Sequence, residues 1–411
     1  MSDAALLARA PRLARRASRM QASEIRELLK IIEQPGVISF AGGIPDPALF
    51  PVDAIRQHYS DILSDPASAG KALQYSVSEG DADLRDRIVD HMRARGVRCD
   101  RDNILITSGS QQALEFTAKL FLSPGDTALV TAPTYLGALQ AFAASEPVFQ
   151  DLDMADIEAT AAQFHAHAQS EPSDCKIAYV VPDFANPSGK TMDLAARRRL
   201  LDLAETLDIA IIEDSPYAAL RYEGEPVAPI QALDLENGRT IDESRVVFCG
   251  SFSKVFTPGL RLGWVCASRD LIRRLVLIKQ SSDLNAPALN QMVVARLMAD
   301  HFDRQAARAQ AHYRTKRDAM LEALSQHMPA HARWSEPEGG MFIWLSAGDG
   351  IDTAALLPRA IGQARVAYVP GRAFYADGRT SDAMRLSFSL PDCGQIRTGV
   401  ERLAGIVRQA G

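Results

Sequence analysis

Cysteine and lysine are scarce in this chain of 411 residues, which has five cysteines and eight lysines. The cysteines are scattered without a CxxC pair, and their odd number argues against a disulfide framework. No apolar run approaches the length of a membrane span, and a formal net charge of −6 disfavours nonspecific binding to nucleic acid. These absences predict a soluble, cytoplasmic protein that binds neither membranes nor nucleic acid.

Two phosphate-binding patterns are also absent. The sequence contains neither GxxxxGKS/T nor GxGxxG, so neither a nucleoside triphosphate nor a dinucleotide is indicated. His165 and His167 form a close pair, but no third ligand stands near them in the sequence. We interpret this pair as surface residues and predict no metal site.

The N-terminal segment "ALLARAPRLARRASRM" is rich in arginine and follows a single acidic residue, Asp3. Basic, amphipathic segments of this kind also occur in organelle-targeting peptides. We favour the alternative, an arm that packs on the protein or on a partner subunit.

Short apolar runs alternate with helix-like segments between residues 101 and 267. Two of the helix-like segments are Gln111–Leu122 and Leu194–Leu207. The alternation predicts an α/β domain with a mostly parallel sheet, in which ligands collect at the carboxyl ends of the strands. The strand-like runs are NILIT, TALVTAP, KIAYVVP, IAIIED, RVVFCG and LGWVCAS.

The pattern changes after about residue 285. A long helical stretch, Leu289–His327, precedes the strand-like pieces GGMFIWL, RVAYVPG and MRLSFSL and a helical segment from Gln395. This order predicts a smaller α+β domain. We therefore divide the chain into an N-terminal arm with a mobile helix (1–45), a large ligand-binding domain (46–285) and a small C-terminal domain (286–411).

Polar or aromatic residues follow the first three strand-like runs. Ser108–Gln111 places small residues at a strand-to-helix junction, where exposed backbone N–H groups favour a phosphate. Tyr135 could stack on a flat ring, and the Asn186 amide could donate to a ligand oxygen. Each also has an ordinary structural interpretation, as a helix N-cap, a half-buried core tyrosine or a turn asparagine.

Two charged residues at strand ends are harder to explain by structure alone. Asp214 ends a strongly apolar run, where a buried carboxylate needs a partner such as a protonated ring nitrogen. Lys254 follows Ser251 and Ser253, and Arg261 comes seven residues later. A desolvated amine beside a second cation has a lowered pKa and can form a Schiff base, whereas hydroxyls and a guanidinium suit a phosphate. The alternative for Lys254 is a solvated loop lysine.

One ligand accounts for all of these residues. It has a phosphate, a pyridine ring with a basic nitrogen, a phenolic oxygen and an aldehyde, and pyridoxal phosphate has this composition. The set therefore predicts a pyridoxal-phosphate enzyme that acts on amino acids.

The chain resembles the fold type I aminotransferases of class I/II, and within them the 2-aminoadipate/kynurenine aminotransferase group. The resemblance extends from about Arg19 to the end of the chain. It implies a large domain with a mostly parallel seven-stranded sheet and a smaller α+β domain. The motifs that carry it are ISFAGGIPDPALFP, LQYSVSEG, TSGSQQAL, NPSG, EDSPYAAL, GSFSKVFTPGLRLGW, GGMFIWL and MRLSFS.

The resemblance also implies roles around the ring of the cofactor. Lys254 would bind the cofactor covalently and, when freed, remove the Cα proton of the substrate. Asp214 would keep the pyridine nitrogen protonated, Asn186 and Tyr217 would contact the phenolic oxygen, and Tyr135 would stack on the ring. Lys254, Asp214 and Tyr217 are the expected catalytic residues.

The resemblance also implies which residues bind the substrate's carboxylate and the cofactor's phosphate. The substrate's α-carboxylate would bind Arg385, helped by Asn186 and the backbone at Gly43. Because one phosphate contact would come from the neighbouring subunit, a homodimer is expected. The phosphate would contact Ser110, Gln111, Ser251, Ser253 and Arg261, and Tyr75 of the neighbouring subunit.

The expected reaction is transamination between an L-amino acid and a 2-oxo acid, with 2-oxoglutarate as the expected acceptor. The amino acid would be aromatic, aliphatic or similar to 2-aminoadipate. In the resembled group an arginine at the place of Arg26 binds a distal carboxylate, although a surface ion pair is the alternative. Two departures from the group's pattern, DLNAPALNQ (283–291) and Arg372, leave the amino donor open.

Two other functions compete with this prediction. A pyridoxal-phosphate lyase, decarboxylase or racemase would use the same lysine, aspartate and tyrosine. Some transcription regulators join this fold to a DNA-binding domain, but fewer than forty residues precede ISFAGG, which is too short for such a module. We therefore expect an enzyme.

Overall fold

The fold is described from a computed structural model, which covers residues 13–19, 36–154, 160, 175–348 and 350–410. Its strands, in chain order, are β1 (Ile38–Ser39), β2 (Ile104–Thr107), β3 (Thr127–Thr131), β4 (Val148–Leu152), β5 (Cys175–Val180), β6 (Ala210–Asp214), β7 (Val246–Ser251), β8 (Gly263–Cys266), β9 (Arg333–Trp334), β10 (Phe342–Ser346), β11 (Val366–Ala367), β12 (Val369–Pro370) and β13 (Ala383–Ser387). Its α-helices are α1 (Val52–Ser64), α2 (Pro66–Leu73), α3 (Ala82–Ala94), α4 (Ser110–Phe121), α5 (Leu136–Ala143), α6 (Leu194–Leu207), α7 (Ile230–Asp234), α8 (Arg269–Gln280), α9 (Ala288–His327), α10 (Thr353–Arg359) and α11 (Cys393–Arg408).

A seven-stranded sheet lies at the centre of the molecule, in the order β2-β8-β7-β6-β5-β3-β4. Strands β4, β3, β5, β6 and β7 run parallel to one another, whereas β8 is antiparallel to both β7 and β2. The carboxyl ends of the five parallel strands therefore meet at one edge of the sheet. This arrangement confirms the predicted α/β class and the mostly parallel seven-stranded sheet.

The six strand-like runs all become strands of this sheet, because continuous apolar, β-branched sequence suits a strand that is covered on both faces. Strand β4 was not predicted. It lies at the edge of the sheet, and its first residue, Val148, is exposed, so its sequence lacks a continuous apolar run. The helix predicted at Leu194–Leu207 has those bounds, and the one predicted at Gln111–Leu122 begins and ends one residue earlier.

A four-stranded antiparallel sheet, in the order β12-β13-β10-β9, is built from the C-terminal part of the chain. The long helix α9 packs against α11 and also against α1 and α3. Strand β1 pairs in parallel with β11, which ties the segment before residue 40 to the C-terminal part. The division at residues 45 and 285 stays a prediction.

None of the described helices combines the length and the apolar character that a bilayer crossing requires. All five cysteines are free thiols, and Cys99, Cys249 and Cys266 are buried. Within the described ranges, no group of three or more His, Cys, Asp or Glu side chains is arranged to hold a metal ion. His165 and His167 lie outside these ranges.

Candidate active site

A cavity of about 580 Å³ lies at the carboxyl edge of the large sheet. Ten of the residues predicted for the site line it, although they come from six separate segments of the chain. The predicted lining residues are Ser110, Gln111, Tyr135, Asn186, Asp214, Tyr217, Ser251, Ser253, Lys254 and Arg261, and the others are Leu136, Gly137, Gln140, Val181, Pro216 and Pro258.

Lys254 follows the end of β7 by three residues. Its Nζ donates to the carbonyl oxygen of Gly43 at 3.1 Å and lies 5.8 Å from the ring centroid of Tyr217. Burial and the nearby charges of Arg385 and Arg261 lower the pKa of this amine to about 8. The neutral, nucleophilic amine is therefore still the minor form at neutral pH, but it is far more populated than in a solvated lysine.

Asp214 is the last residue of β6 and is almost fully buried. The hydroxyl of Tyr179 donates to its Oδ2 at 2.8 Å, whereas Oδ1 is buried and has no hydrogen-bond partner among the described residues. Burial raises the pKa of Asp214 to about 7, opposed by the Tyr179 hydrogen bond and by the charge of Lys254. A buried carboxylate oxygen without a partner is costly, so Oδ1 is suited to accept a hydrogen bond from a ligand cation.

The strand alternation explains why Asp214 and not its neighbour faces the cavity. Glu213 points to the other face of the sheet, where it accepts hydrogen bonds from the backbone N–H groups of Ile230 and Gln231, both at 2.9 Å. Those two residues begin α7, so Glu213 caps a helix and has its partners within the protein. Two adjacent buried carboxylates thus have different surroundings, and only Asp214 keeps an oxygen available.

Arg385 lies in β13; it is not among the residues that line the cavity, but it contacts one of them, Asn186. Its Nη1 donates to Asn186 Oδ1 at 2.8 Å and its Nη2 to the carbonyl oxygen of Ala41 at 2.7 Å, and its buried Nε has no partner among the described residues. The guanidinium lies 4.3 Å from the ring centroid of Phe342 and 5.1 Å from that of Phe374. Burial lowers its pKa to about 10, which still leaves it cationic at neutral pH. A buried planar cation suits a carboxylate.

Two tyrosines form the walls of the cavity. Tyr217 is buried, which raises the pKa of its hydroxyl, and this hydroxyl is hydrogen-bonded to Asn186. Tyr135 precedes α5, and its ring lies so close to the backbone of Gly137 that an added Cβ there would clash with the ring. Gly137 therefore permits the position of Tyr135. The Gln111 amide donates to the Gly137 carbonyl at 2.7 Å, so its side chain is engaged within the protein.

The N-terminus of α4 and the loop that follows β7 form a cradle for an anion. Gly109 is the N-cap of α4 with φ 79°, and an added Cβ would come within 2.8 Å of Arg261 Nη2. Arg261 itself has φ 53°, and its Nη2 donates to the carbonyl oxygen of Ser108 at 3.1 Å. Free N–H groups at a helix start, two serine hydroxyls and a guanidinium together suit a phosphate. The hydroxyls belong to Ser251 and Ser253.

The chain matches the family model for aminotransferase class I and II over residues 36–403. It belongs to the class I and II aminotransferases.

Individual relatives show which aminotransferases within this family are similar to this chain. Aromatic-amino-acid aminotransferase 1 of Thermococcus litoralis is 42% identical over 95% of this chain and 92% of its own length. The structure of Pyrococcus horikoshii kynurenine aminotransferase in complex with PMP has 41% identity and a TM-score of 0.89, covering 97% of each chain. The α-aminoadipate aminotransferase of Thermus thermophilus, complexed with N-(5′-phosphopyridoxyl)-L-leucine, has 35% identity and a TM-score of 0.86, covering 97% of each chain. The resemblance to the 2-aminoadipate/kynurenine group is confirmed.

Some of the residues predicted for the site do not line this aminotransferase's cavity. Tyr75 is 81% exposed and stands on the surface of its own chain. Gly43 contributes its carbonyl to Lys254, and an added Cβ there would come within 2.9 Å of Phe342. Arg26 lies outside the described residues. The contacts of Tyr75 and Arg26 with cofactor or substrate stay predictions.

The segment 283–291, one of the two departures from the group's pattern, begins beside the anion cradle. Asp283 accepts hydrogen bonds from Ser108 Oγ at 3.2 Å and Gln112 Nε2 at 2.8 Å. The buried Lys279 lies 2.8 Å from the same carboxylate. The start of this segment therefore supports the loop before α4. Arg372, the second departure, is exposed at the start of the turn after β12.

Tyr179 was not predicted, although it contacts the carboxylate of Asp214. It lies within β5, in the run KIAYVVP, where it reads as one more large residue of a buried strand. The available signal was its hydroxyl, because a phenol buried in the middle of an apolar strand requires a hydrogen-bond partner. The sequence alone does not tell which residue of the next strand lies beside it.

Proposed function

We propose that this aminotransferase uses pyridoxal phosphate to move the amino group of an L-amino acid to a 2-oxo acid, with 2-oxoglutarate as the acceptor. The observation that carries the proposal is the buried Oδ1 of Asp214, which lacks a partner among the described residues and lines the same cavity as the amine of Lys254. A pyridinium N–H and an aldehyde on one flat ligand satisfy both groups.

The rest of the cavity fits the same cofactor. The N-terminus of α4, the hydroxyls of Ser251 and Ser253 and the guanidinium of Arg261 offer donors for a phosphate. Tyr135 offers an aromatic face, and Tyr217 and Asn186 offer hydrogen bonds for the phenolic oxygen. The names of the two solved relatives support this cofactor, because one was crystallised with PMP and the other with a phosphopyridoxyl amino acid.

When bound, pyridoxal phosphate supplies an aldehyde that receives the amino group and a ring that accepts an electron pair from the substrate's Cα. Lys254 would hold the cofactor; once freed, its amine would take the proton from the substrate's Cα and deliver it to the carbon that receives the amino group. Its lowered pKa, about 8, keeps part of the amine neutral at physiological pH, as a base requires. Asp214 compensates the positive charge of the ring nitrogen through Oδ1.

Arg385 binds the α-carboxylate of the substrate. Its Nε has no partner among the described residues, and its Nη groups already orient it through Asn186 and the Ala41 carbonyl. The two phenyl rings beside the guanidinium restrict its position and exclude water. The carboxylate anchor fixes the Cα proton relative to Lys254.

The amino donor is aromatic, aliphatic or similar to 2-aminoadipate. The names of the relatives support this range, since they refer to aromatic amino acids, kynurenine and α-aminoadipate. A second substrate with a distal carboxylate, such as 2-oxoglutarate, needs another cation, and we assign this role to Arg26.

The enzyme works in the cytoplasm.

The active unit is a homodimer in which each subunit completes the site of the other. Tyr75 supports this arrangement, because an 81% exposed tyrosine lies beside the exposed Leu73 and Val77 on one segment. An apolar segment of this kind is typical of a surface that another protein covers. The Tyr75 hydroxyl of one subunit then contacts the cofactor phosphate of the other.

A single half-reaction tests the proposed activity against lyase, decarboxylase and racemase chemistry. The purified enzyme with bound cofactor is mixed with L-phenylalanine, L-glutamate or L-2-aminoadipate and no 2-oxo acid. We expect one equivalent of 2-oxo acid per site and conversion of the cofactor to its amine form, followed by absorbance. Release of carbon dioxide, formation of the D-amino acid, or cleavage of the amino acid without conversion of the cofactor to its amine form would contradict the proposal.

Two variants complete this experiment. Lys254→Ala should lose the absorbance of the covalently bound cofactor and nearly all turnover, because the amine is both anchor and base. Lys190→Ala, which removes an exposed lysine outside the cavity, should behave like the unmodified enzyme. Full activity in Lys254→Ala would show that the assignment of this lysine is wrong.

A further inference from the structure

Tyr179 is buried in the middle of the large sheet and carries a single polar atom. Its side chain is fully buried, and its ring packs edge-on against Phe142 with the centroids 5.6 Å apart. The hydroxyl donates to Asp214 Oδ2 at 2.8 Å. Burial and the adjacent carboxylate hold the pKa of Tyr179 far above its usual value, so this hydroxyl stays protonated and remains the donor.

The register of two neighbouring strands creates this contact. Tyr179 of β5 pairs with Ile212 of β6, two residues before Asp214. Side chains two residues apart on a strand share one face, so Tyr179 and Asp214 stand on the same side of the sheet. Both residues are held by regular strands, and the distance between them is therefore well defined.

The hydrogen bond divides the two oxygens of the Asp214 carboxylate. Oδ2 is occupied by Tyr179, and Oδ1 is buried without a partner among the described residues. A rotation of the carboxylate about its last bond would break the contact with Tyr179 and leave the phenol buried without an acceptor, which is costly. The carboxylate is therefore locked with Oδ1 available to a ligand.

We propose that Tyr179 is a positioning residue that acts on the cofactor through Asp214: its hydroxyl fixes the carboxylate so that Oδ1 meets the ring nitrogen. The inference rests on the proposed function, since it requires pyridoxal phosphate in the cavity. Tyr179 does not line the cavity itself, so its effect reaches the cofactor through the carboxylate.

The same hydroxyl supports the charge of the carboxylate. Burial raises the pKa of Asp214, whereas the hydrogen bond from Tyr179 and the positive charge of Lys254 lower it. A hydrogen bond donated to a carboxylate stabilises its ionised form. Without Tyr179, Asp214 would take up a proton more readily and would pair less strongly with a pyridinium cation.

The test uses Tyr179→Phe, which removes one oxygen atom and keeps the ring. Dissociation constants are measured for pyridoxal phosphate and for its 1-deaza analogue, in which carbon replaces the ring nitrogen. We expect the variant to bind pyridoxal phosphate about tenfold more weakly, the size of one charge-assisted hydrogen bond, and to bind the analogue as the unmodified protein does. An equal loss for both ligands, or no loss for either, would overturn the proposal.

Two further variants control the interpretation. Tyr368→Phe removes another buried hydroxyl, which donates to the Thr353 carbonyl at 2.7 Å, and should leave the affinity for both ligands unchanged. In an Asp214→Asn background, Tyr179→Phe should cause no further loss for pyridoxal phosphate, because the carboxylate through which it acts is gone. A full additional loss in that background would show that Tyr179 acts by another route.

The experiment separates failure of this inference from failure of the proposed function. If the unmodified protein binds neither ligand, or if Lys254→Ala binds pyridoxal phosphate as tightly as the unmodified protein, the proposed cofactor site is wrong. If the unmodified protein binds pyridoxal phosphate through Lys254 and Tyr179→Phe binds it equally well, only the role of Tyr179 is wrong.

Discussion

At the scale of single residues, the surroundings of Lys254 change its acid–base behaviour. The amine is buried near two guanidinium groups, those of Arg385 and Arg261, and among the described residues the Asp214 carboxylate alone favours its charged form. The same side chain in a solvated loop would be an ordinary lysine. The chemistry at this position therefore depends on residues that are far apart in the sequence.

The first prediction concerns the pKa of this amine in the cofactor-free protein. Only the neutral amine reacts with an acylating reagent, and burial shifts its midpoint down from 10.5 to about 8. The labelling rate of Lys254 should rise with pH and level off above about pH 8, as measured for its peptide by mass spectrometry. Arg385→Gln should move the midpoint upward, because it removes a nearby positive charge. A midpoint near 10.5 in the unmodified protein would contradict the assignment.

The second prediction concerns Arg26 and the distal carboxylate. Arg26→Ala should raise KM for L-glutamate about tenfold, the loss of one charge-assisted contact, and change KM for L-phenylalanine little. Steady-state kinetics with both donors measure the difference, and Lys30→Ala removes a charge from the same segment as a control. Equal effects on the two donors would rule out this role for Arg26.

At the scale of secondary-structure elements, the anion cradle depends on the glycines at the start of α4. Gly109 has a positive φ and lies against Arg261, and Gly263 of β8 lies against the backbone of Ser110, where an added Cβ would come within 2.8 Å. Strand β8 and helix α4 approach each other through glycine at this junction. This close approach brings the Arg261 guanidinium to the start of α4.

The third prediction compares two glycines that both have a positive φ. Gly109 has φ 79° and Gly125 has φ 95°, but only Gly109 has neighbours that an added Cβ would touch. Both Gly109→Ala and Gly125→Ala should lose about 1–3 kcal/mol of stability, because each places an L-residue at a positive φ. Only Gly109→Ala should also lose affinity for pyridoxal phosphate, by about tenfold or more, because it displaces Arg261.

Melting temperatures and cofactor dissociation constants measure the two effects separately. Similar cofactor affinities in the two glycine variants would mean that the start of α4 does not bind the phosphate.

At the scale of the whole molecule, the site joins the two sheets. The large sheet contributes Asp214 and Lys254 at its carboxyl edge, and the small sheet contributes Arg385, which is linked to the large sheet through Asn186. The segment near residue 40 closes the third side, since Ala41 and Gly43 accept hydrogen bonds from Arg385 and Lys254. Any relative movement of the two sheets would therefore change the distance between Arg385 and Lys254.

The fourth prediction tests whether two subunits share each site. Lys254→Ala and Tyr75→Ala should each be strongly impaired alone. When the two variants are produced together, half of the dimers are mixed, and each mixed dimer contains one site with neither defect. We expect about a quarter of the activity of the unmodified enzyme, as subunit statistics for a symmetric dimer require.

The control is production of each variant with itself, which should give no recovery. If the joint preparation has no more activity than the average of the two separate preparations, Tyr75 does not complete the partner's site.

Much of the fold and of the candidate site could be predicted because the patterns that indicate them involve residues that are close together in the sequence. Continuous apolar, β-branched runs identify covered strands, and chemistry-bearing residues directly after such runs fall at the carboxyl edge of a parallel sheet. Strand β4 was missed because an edge strand need not be apolar throughout, and its first residue, Val148, is exposed. Tyr179 was missed because its partner lies on another strand.

The sequence by itself determined that Asp214 and Lys254 follow apolar strands, since this placement depends on local pattern, and it thereby predicts which residues carry the chemistry. The tertiary structure alone decided which atoms of the site's side chains already have hydrogen-bond partners within the protein. The contacts of Tyr179 with Asp214, of Arg385 with Asn186 and of Arg385 with Ala41 join residues 35, 199 and 344 positions apart. Such contacts depend on strand register and on the packing of two sheets, and a shift of one residue in register would turn Tyr179 to the other face of the sheet.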